Sequence, residues 1–231
     1  MNIAIIPARG GSKRIPHKNI KNFCGKPMIA WPIEAALESN CFDSVIVSTD
    51  SVEIASVAQS FGAQVPFIRP AELSDDFTGT TAVIKHAVRS ISNIMQDIEN
   101  VCCLYATAPF VQPQNLIDSF NVLNNNDCDF VFSVTSFAFP IQRAIKITSN
   151  NRVQMFQPEM FVKRSQDLEE AYHDAGQFYW GTTKAWLEEK SIFSSGSVPF
   201  VLPRYRVQDI DTHEDWVRAE YMFAAMTGLQ S

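Results

Sequence analysis

The chain has 231 residues, 19 Lys and Arg against 25 Asp and Glu, and a net charge of −6. No Pro-, Gly- or Ser-rich linker divides it, so one α/β domain over residues 1–231 with a full core is expected. The acidic balance argues against a general nucleic-acid or anionic-membrane surface.

The five cysteines, Cys24, Cys41, Cys102, Cys103 and Cys128, are odd in number and show no metal-type pairing, which suits a reducing compartment. No stretch approaches transmembrane length, and the chain opens on a strand in place of a signal peptide. A cytoplasmic location with no membrane or nucleic-acid partner is therefore expected.

The apolar run of residues 3–6 predicts a strand that stops at Pro7 and releases Ala8-Arg9-Gly10-Gly11-Ser12-Lys13-Arg14-Ile15-Pro16-His17-Lys18-Asn19. Two adjacent glycines let backbone N–H groups turn toward an oxyanion with no Cβ in the way, while Arg9, Lys13, Arg14 and Lys18 neutralise its charge. Most basic loops are merely solvated. Here the cations cluster behind a buried-type strand in an acidic chain, which points to a nucleotide triphosphate. The loop is not a Walker loop, which ends in Gly-Lys-Ser/Thr, and the Gly-x-Gly-x-x-Gly dinucleotide fingerprint is absent.

Further strands are predicted at residues 45–48, 64–68, 101–104 and 130–134, with helices at 28–38, 52–61, 80–95 and 116–123 between them. That alternation predicts a Rossmann-like, mostly parallel twisted sheet with helices on both faces. Ligands of such sheets bind beyond the carboxyl ends of the strands, where residues 9–19, Thr49-Asp50 and residues 106–110 would converge. Cys102 and Cys103 lie in an apolar run and read as core. Residues 137–176 break the rhythm and predict an excursion for subunit contact or a lid, with a surface hairpin as the plainer reading. Residues 178–180, a short helix at 184–190 and a strand at 198–202 follow. The last helix, 212–226, opens on Thr212-x-x-Asp215, a capping box with Asp in place of Glu or Gln.

Just before that helix, Asp209-Ile210-Asp211 places two carboxylates at alternate positions, so that both can face one hard cation. Mg²⁺ fits, with Mn²⁺ as an alternative, because it takes one or two carboxylates and completes its shell with water and phosphate. A helix cap or two solvated acids is the competing reading. The four histidines match no zinc spacing, and a His-x-Gly-His nucleotidyltransferase motif is absent.

These residues resemble the CMP-sialic acid synthetase family of cytidylyltransferases, which activate nine-carbon acidic sugars. Ala8 to Lys13 followed by Lys18-Asn19 is similar to the family's N-terminal signature, and Asp209-Ile210-Asp211 to its metal motif. Leu104-Tyr105-Ala106-Thr107-Ala108-Pro109-Phe110 stands in place of Leu-Gln-Pro-Thr-Ser-Pro-Leu, and Arg164-Ser165-Gln166-Asp167-Leu168 resembles Arg-Arg-Gln-Asp-Leu. The resemblance covers nearly the whole chain. It departs at Tyr105, where a sialate enzyme has Gln, and at Asp174-Ala175-Gly176-Gln177-Phe178-Tyr179-Trp180, where the family has Asn-Gly-x-x-Tyr. Both departures resemble the pseudaminic acid branch.

The resemblance implies a nucleotide-diphospho-sugar transferase type of fold and a CTP site formed by Ala8, Arg9, Gly10, Gly11, Ser12, Lys13, Lys18, Asn19 and Thr80. It implies catalytic roles for Arg9, Lys18 and Asp211, and a metal held by Asp209 and Asp211. It assigns a sugar pocket to Tyr105, Thr107, Gln166, Gln177, Phe178 and Tyr179, although each aromatic could equally be core. Arg143, Lys163 and Arg164 would cross to the partner in a homodimer. The implied reaction joins CTP and pseudaminic acid. CMP-sialic or CMP-legionaminic acid synthesis is the alternative, followed by a metal-dependent nucleotide-sugar glycosyltransferase with its Asp-x-Asp motif. A non-catalytic nucleotide-binding subunit ranks below these.

Overall fold

The computed structural model describes residues 1–228 of the chain. In chain order the elements are β1 (Asn2–Pro7), β2 (Asn22–Phe23), β3 (Lys26–Pro27), α1 (Ala30–Ser39), β4 (Ser44–Ser48), α2 (Val52–Ser60), α3 (Thr80–Ile91), β5 (Asn100–Leu104), α4 (Pro113–Asn125), β6 (Phe130–Ser136), β7 (Ile145–Ile147), β8 (Val153–Met155), β9 (Tyr172–Thr182), α5 (Thr183–Leu187), β10 (Ser197–Val201) and α6 (His213–Gly228). The central sheet runs β10-β6-β9-β5-β1-β4. All pairings are parallel except those of β9, which is antiparallel to both β5 and β6. The mostly parallel sheet read from the sequence is present, with one reversed strand inserted at its centre.

The strands are apolar on both sides because both faces are covered. Ala4 and Ile6 pack with Ile33 of α1, Ala58 of α2 and Leu116 of α4 on one face. Ile3 and Ile5 pack with Ile84 and Val88 of α3 and Trp186 of α5 on the other. Cys102 and Cys103 fall on opposite faces and are wholly buried, as their setting in an apolar run predicts. A third cluster joins Ile15, Phe23, Met28, Phe110, Ile210 and Trp216. It anchors the basic loop, the Asp209–Asp211 segment and α6 to one another, and so fixes the two chemical motifs in mutual register.

Two expectations are corrected. Residues 64–68 are not a strand: only Gln64 bridges, to Ile46, with Gln64 N donating to Val45 O at 2.8 Å and Val47 N donating to Gln64 O at 2.9 Å. Pro66 brings no N–H to continue the ladder. The excursion ends at residue 171, because Tyr172 already opens β9; before it lie the β7–β8 hairpin and several single 3₁₀ turns. No helix among the described residues is long and apolar enough to cross a membrane.

Gly181 shows how tightly β9 is seated. A Cβ there would lie 2.5 Å from Phe130 Cδ1 and 2.7 Å from Trp186 Nε1. Gly181→Ala is expected to destabilise the fold by about 1–3 kcal/mol through overpacking, read from the midpoint of urea unfolding. An unchanged midpoint would show that these rings yield.

Candidate active site

The loop after β1 is shaped by its own hydrogen bonds before any ligand arrives. Ala8 N donates to Ser48 O at 2.9 Å, and Gly10 N donates to Asp50 Oδ1 at 2.8 Å. The loop therefore lies along the ends of β1 and β4. A Cβ on Gly10 would stand 3.2 Å from Ser51 Cβ, which explains a glycine at that point. Asn19 is buried, with its side-chain amide donating to Arg9 O at 2.9 Å and its backbone carbonyl accepting from Ile29 N at 2.8 Å. It holds the loop in shape. The amides of Ala8 and Gly10 are thus committed to structure, and the ligand-facing groups are Ser12 and the cations.

These groups line a crevice of about 330 Å³, together with Thr80, Tyr105, Thr107 and Asp211. Of the predicted convergence, the loop and Ala106-Thr107 after β5 line the crevice, Thr49 and Asp50 do not, and Asp211 joins them while Asp209 does not. Within the crevice the cations are paired with acids. Arg9 Nη1 lies 2.6 Å from Asp76 Oδ1, and Lys13 also pairs with Asp76. Arg14 Nη2 lies 2.9 Å from Asp211 Oδ2; Lys18 Nζ lies 3.3 Å from Asp211 Oδ1 and donates to Ile210 O at 2.6 Å. Hydrogen bonds from Lys13 and then Arg9 hold the Asp76 carboxyl below the usual range. An exposed carboxylate on two cations of this loop competes with any anion for them. Asp76→Asn is accordingly expected to tighten metal-free CTP binding several-fold in calorimetry; weaker binding would show that Asp76 instead orients Arg9 and Lys13.

Arg69 was not singled out by the sequence reading. It is 4% exposed, its Nε donates to Ser74 Oγ at 3.1 Å, and its Nη2 has no hydrogen-bond partner among the described residues. The nearest carboxylate oxygen, Asp50 Oδ1, is 4.0 Å away. Burial lowers its pKa, with Asp50 acting in the opposite direction. A half-satisfied buried guanidinium in a crevice wall is a prepared anion donor. The signal available in the sequence was a lone cation in the apolar, proline-bounded run Val65-Pro66-Phe67-Ile68-Arg69-Pro70.

At Asp209-Ile210-Asp211, the competing role of helix cap belongs to other residues. Asp215 Oδ2 accepts from Thr212 N at 2.8 Å and Thr212 Oγ1 accepts from Asp215 N at 3.2 Å, the predicted capping box. Asp211 is left with Arg14 and Lys18. Asp209 is exposed and does not line the crevice; partial desolvation and then the charge of Asp211 raise its carboxyl. Two hard oxygen donors whose mutual repulsion a cation would relieve fit a Mg²⁺ that draws its remaining ligands from phosphate and water.

Behind Tyr105 lies β9, whose Tyr179 is 3% exposed and does not line the crevice. Thr80 Oγ1 and Tyr105 Oη are 3.1 Å apart, the Tyr105 and Tyr179 rings are tilted with centroids 5.3 Å apart, and Tyr179 Oη donates to Asp174 Oδ2. Burial pushes both phenols up, so both stay protonated. Asp174 also lines a second cavity of about 480 Å³ with Phe132, Tyr172, Phe193 and Val201. Phe178 is corrected from pocket to core: it is wholly buried and packs on Phe200. Gln177 is also buried, with its amide donating to Arg206 O at 2.6 Å, and lines neither cavity. Gln166, Arg143, Lys163 and Arg164 are exposed in the excursion and line neither cavity of the single chain. Arg164 is occupied by Asp167 at 2.7 Å, and Arg143 donates to Lys163 O.

A family model described as Cytidylyltransferase matches residues 3–222. The chain belongs to the cytidylyltransferase family. Among its relatives in that family, it is 50% identical over 222 residues to the pseudaminic acid cytidylyltransferase of Campylobacter jejuni serotype O:2, with 96% of each chain covered. It is 33% identical to the CMP-N,N'-diacetyllegionaminic acid synthase of Legionella pneumophila, with 94% of each covered. The cytidylyltransferase fold extends to a solved CMP:2-keto-3-deoxy-manno-octonic acid synthetase complexed with CTP, at a TM-score of 0.71 and 16% identity over 97% of this chain and 99% of that one.

Proposed function

We propose that the chain joins CTP and pseudaminic acid to give CMP-pseudaminic acid and pyrophosphate. The observation that carries this reading is the single crevice that gathers the cationic loop, the buried Arg69 and Asp211 beside Thr80 and Tyr105. The 50% identity to a pseudaminic acid cytidylyltransferase supports the choice of sugar over the sialic and legionaminic alternatives.

In this reading Arg9, Ser12, Lys13, Lys18 and Arg69 receive the triphosphate, with Arg9 and Lys13 exchanging Asp76 for phosphate oxygens. Asn19 keeps the loop in shape, and Thr80 borders the base. The sugar's anomeric oxygen forms a bond to the α-phosphorus of CTP as the bond to the β-phosphate bridging oxygen breaks, and pyrophosphate leaves. Asp209 and Asp211 would hold Mg²⁺, which supplies charge neutralisation at the phosphates when bound. The protein's part is positioning and fixed positive charge, in a reaction that asks little covalent work of it. Tyr105 and Thr107 face the sugar, with Tyr179 buried behind Tyr105.

A homodimer belongs to the same proposal. In the excursion, Ile147, Phe161 and Val162 are 73%, 73% and 85% exposed, an apolar surface that a second copy would cover. Arg143, Lys163, Arg164 and Gln166 would then reach the neighbouring crevice. The enzyme reading is tested by pyrophosphate release from CTP in the presence of Mg²⁺ and free sugar. Release that requires all three is expected. CTP binding without release would favour a nucleotide-binding subunit, and release that needs a glycan acceptor would favour a glycosyltransferase.

A further inference from the structure

We infer that Asp215 is a positioning residue for the Asp209–Asp211 pair: beyond capping α6, its two carboxylate oxygens tie the chain on either side of Ile210, so that the pair is held in register before a cation arrives. This rests on the metal role proposed for Asp209 and Asp211 and names what keeps them in place.

A capping box needs two bonds, and Asp215 makes more. Thr212 Oγ1 accepts from Asp215 N at 3.2 Å, and Asp215 Oδ2 accepts from Thr212 N at 2.8 Å and from Thr212 Oγ1 at 2.7 Å. The same Oδ2 also accepts from Asp211 N at 3.2 Å. The other oxygen, Oδ1, accepts from Gln208 Nε2 at 3.2 Å, and that nitrogen gives its second proton to Asp209 O at 2.7 Å. Both partners of the Gln208 nitrogen can only accept, which fixes the orientation of the amide. One oxygen of Asp215 therefore leads to Asp209 through Gln208, and the other leads directly to Asp211.

Between the two tied residues, the Ile210 side chain is wholly buried in the cluster that contains Trp216, and its carbonyl accepts from Lys18 Nζ at 2.6 Å. The side chain anchors the middle of the segment, and Asp215 anchors both flanks. Two like charges this close repel, so an untied pair would have to be gathered when the cation binds, at a cost in ordering. A pair gathered in advance spares that cost. Residues that orient metal ligands through hydrogen bonds typically carry about 10–100-fold of metal affinity.

The test uses the full chain with CTP and no sugar, so that nothing turns over. Calorimetric CTP affinities in Mg²⁺ and in EDTA give the factor by which the metal tightens binding. In Asp215→Ala that factor is expected to fall about tenfold or more, with the affinity in EDTA unchanged. Gln208→Met, which alters no charge, should lower it in part, and the double variant no further than Asp215→Ala. Thr212→Ala breaks the cap but leaves both ties; it should lower the urea midpoint as Asp215→Ala does and keep the wild-type Mg²⁺ factor. An equal loss in Thr212→Ala would make the effect one of helix stability, and a wild-type factor in Gln208→Met would make it one of charge; either overturns the inference. Amide hydrogen exchange at Asp211 in the ligand-free chain reads the tie without a metal, and is expected to be faster in Asp215→Ala than in Thr212→Ala. Equal rates would overturn the inference whether or not a metal binds. A wild type whose CTP affinity ignores Mg²⁺ would instead count against the metal role proposed for Asp209 and Asp211, with the exchange rates still deciding the ties.

Discussion

Asp211→Asn is expected to lower Mg²⁺-dependent pyrophosphate release by about 10²–10³-fold, the scale of losing one preorganised electrostatic contact at a phosphoryl or acyl transfer centre. The argument begins with what Asp211 does not do. The first turn of α6 is capped by Thr212 and Asp215, so the amide substitution leaves the helix intact. Its partners Arg14 and Lys18 form a partly exposed cluster with it, and losing such pairs costs about 1 kcal/mol or less of stability. An inactive variant with a wild-type unfolding midpoint would thus locate the effect in the reaction. Full activity would remove Asp211 from the metal role.

The same pair has a pH signature. Because partial desolvation and the charge of Asp211 raise the Asp209 carboxyl, Asp209 takes up its proton at a higher pH than an ordinary aspartate as the solution is acidified. The proton-free pair that a cation needs is then lost early, and apparent Mg²⁺ affinity should weaken there. Metal titrations of activity across mildly acidic pH check this; an affinity independent of pH until the usual carboxylate range would contradict it.

Arg69→Met is expected to weaken CTP binding by about 2–5 kcal/mol, a loss of thirtyfold or more, while leaving the free protein as stable as before or slightly more so. The opposite signs follow from one fact. Arg69 is almost wholly buried with an Nη2 that no atom of the described residues satisfies, so in the free chain it is a cost, relieved when an anion arrives. Met fills similar volume without the charge, and Asp50 keeps its bond from Gly10 N. Calorimetric CTP binding together with urea unfolding reads both quantities. Loss of stability with unchanged CTP affinity would make Arg69 a structural cation held by Asp50 and Ser74.

Much of the site was legible because its chemistry is local in sequence. The cations of the loop, the alternate carboxylates at Asp209 and Asp211, and the Thr212–Asp215 cap each announce themselves within a few residues. Arg69 and Asp76 were not legible, since their partners Asp50, Arg9 and Lys13 are brought to them by the fold rather than by spacing. The reading of Gln177, Phe178 and Tyr179 as one pocket failed on strand geometry. Successive side chains of a strand face opposite sides, and at the centre of the sheet both sides are covered: Gln177, Phe178 and Tyr179 are all buried and none lines the crevice. The reversed direction of β9 was hidden for a related reason: a buried apolar strand carries the same pattern in either direction.

The most direct test is kcat/KM for pseudaminic, sialic and legionaminic acids, each incubated with the protein, CTP and Mg²⁺ and read as pyrophosphate released. A preference for pseudaminic acid of about tenfold or more, the scale on which pocket contacts discriminate related substrates, is expected. Equal values for the three acids, or a preference for sialic acid, would contradict the assignment of this crevice to pseudaminic acid.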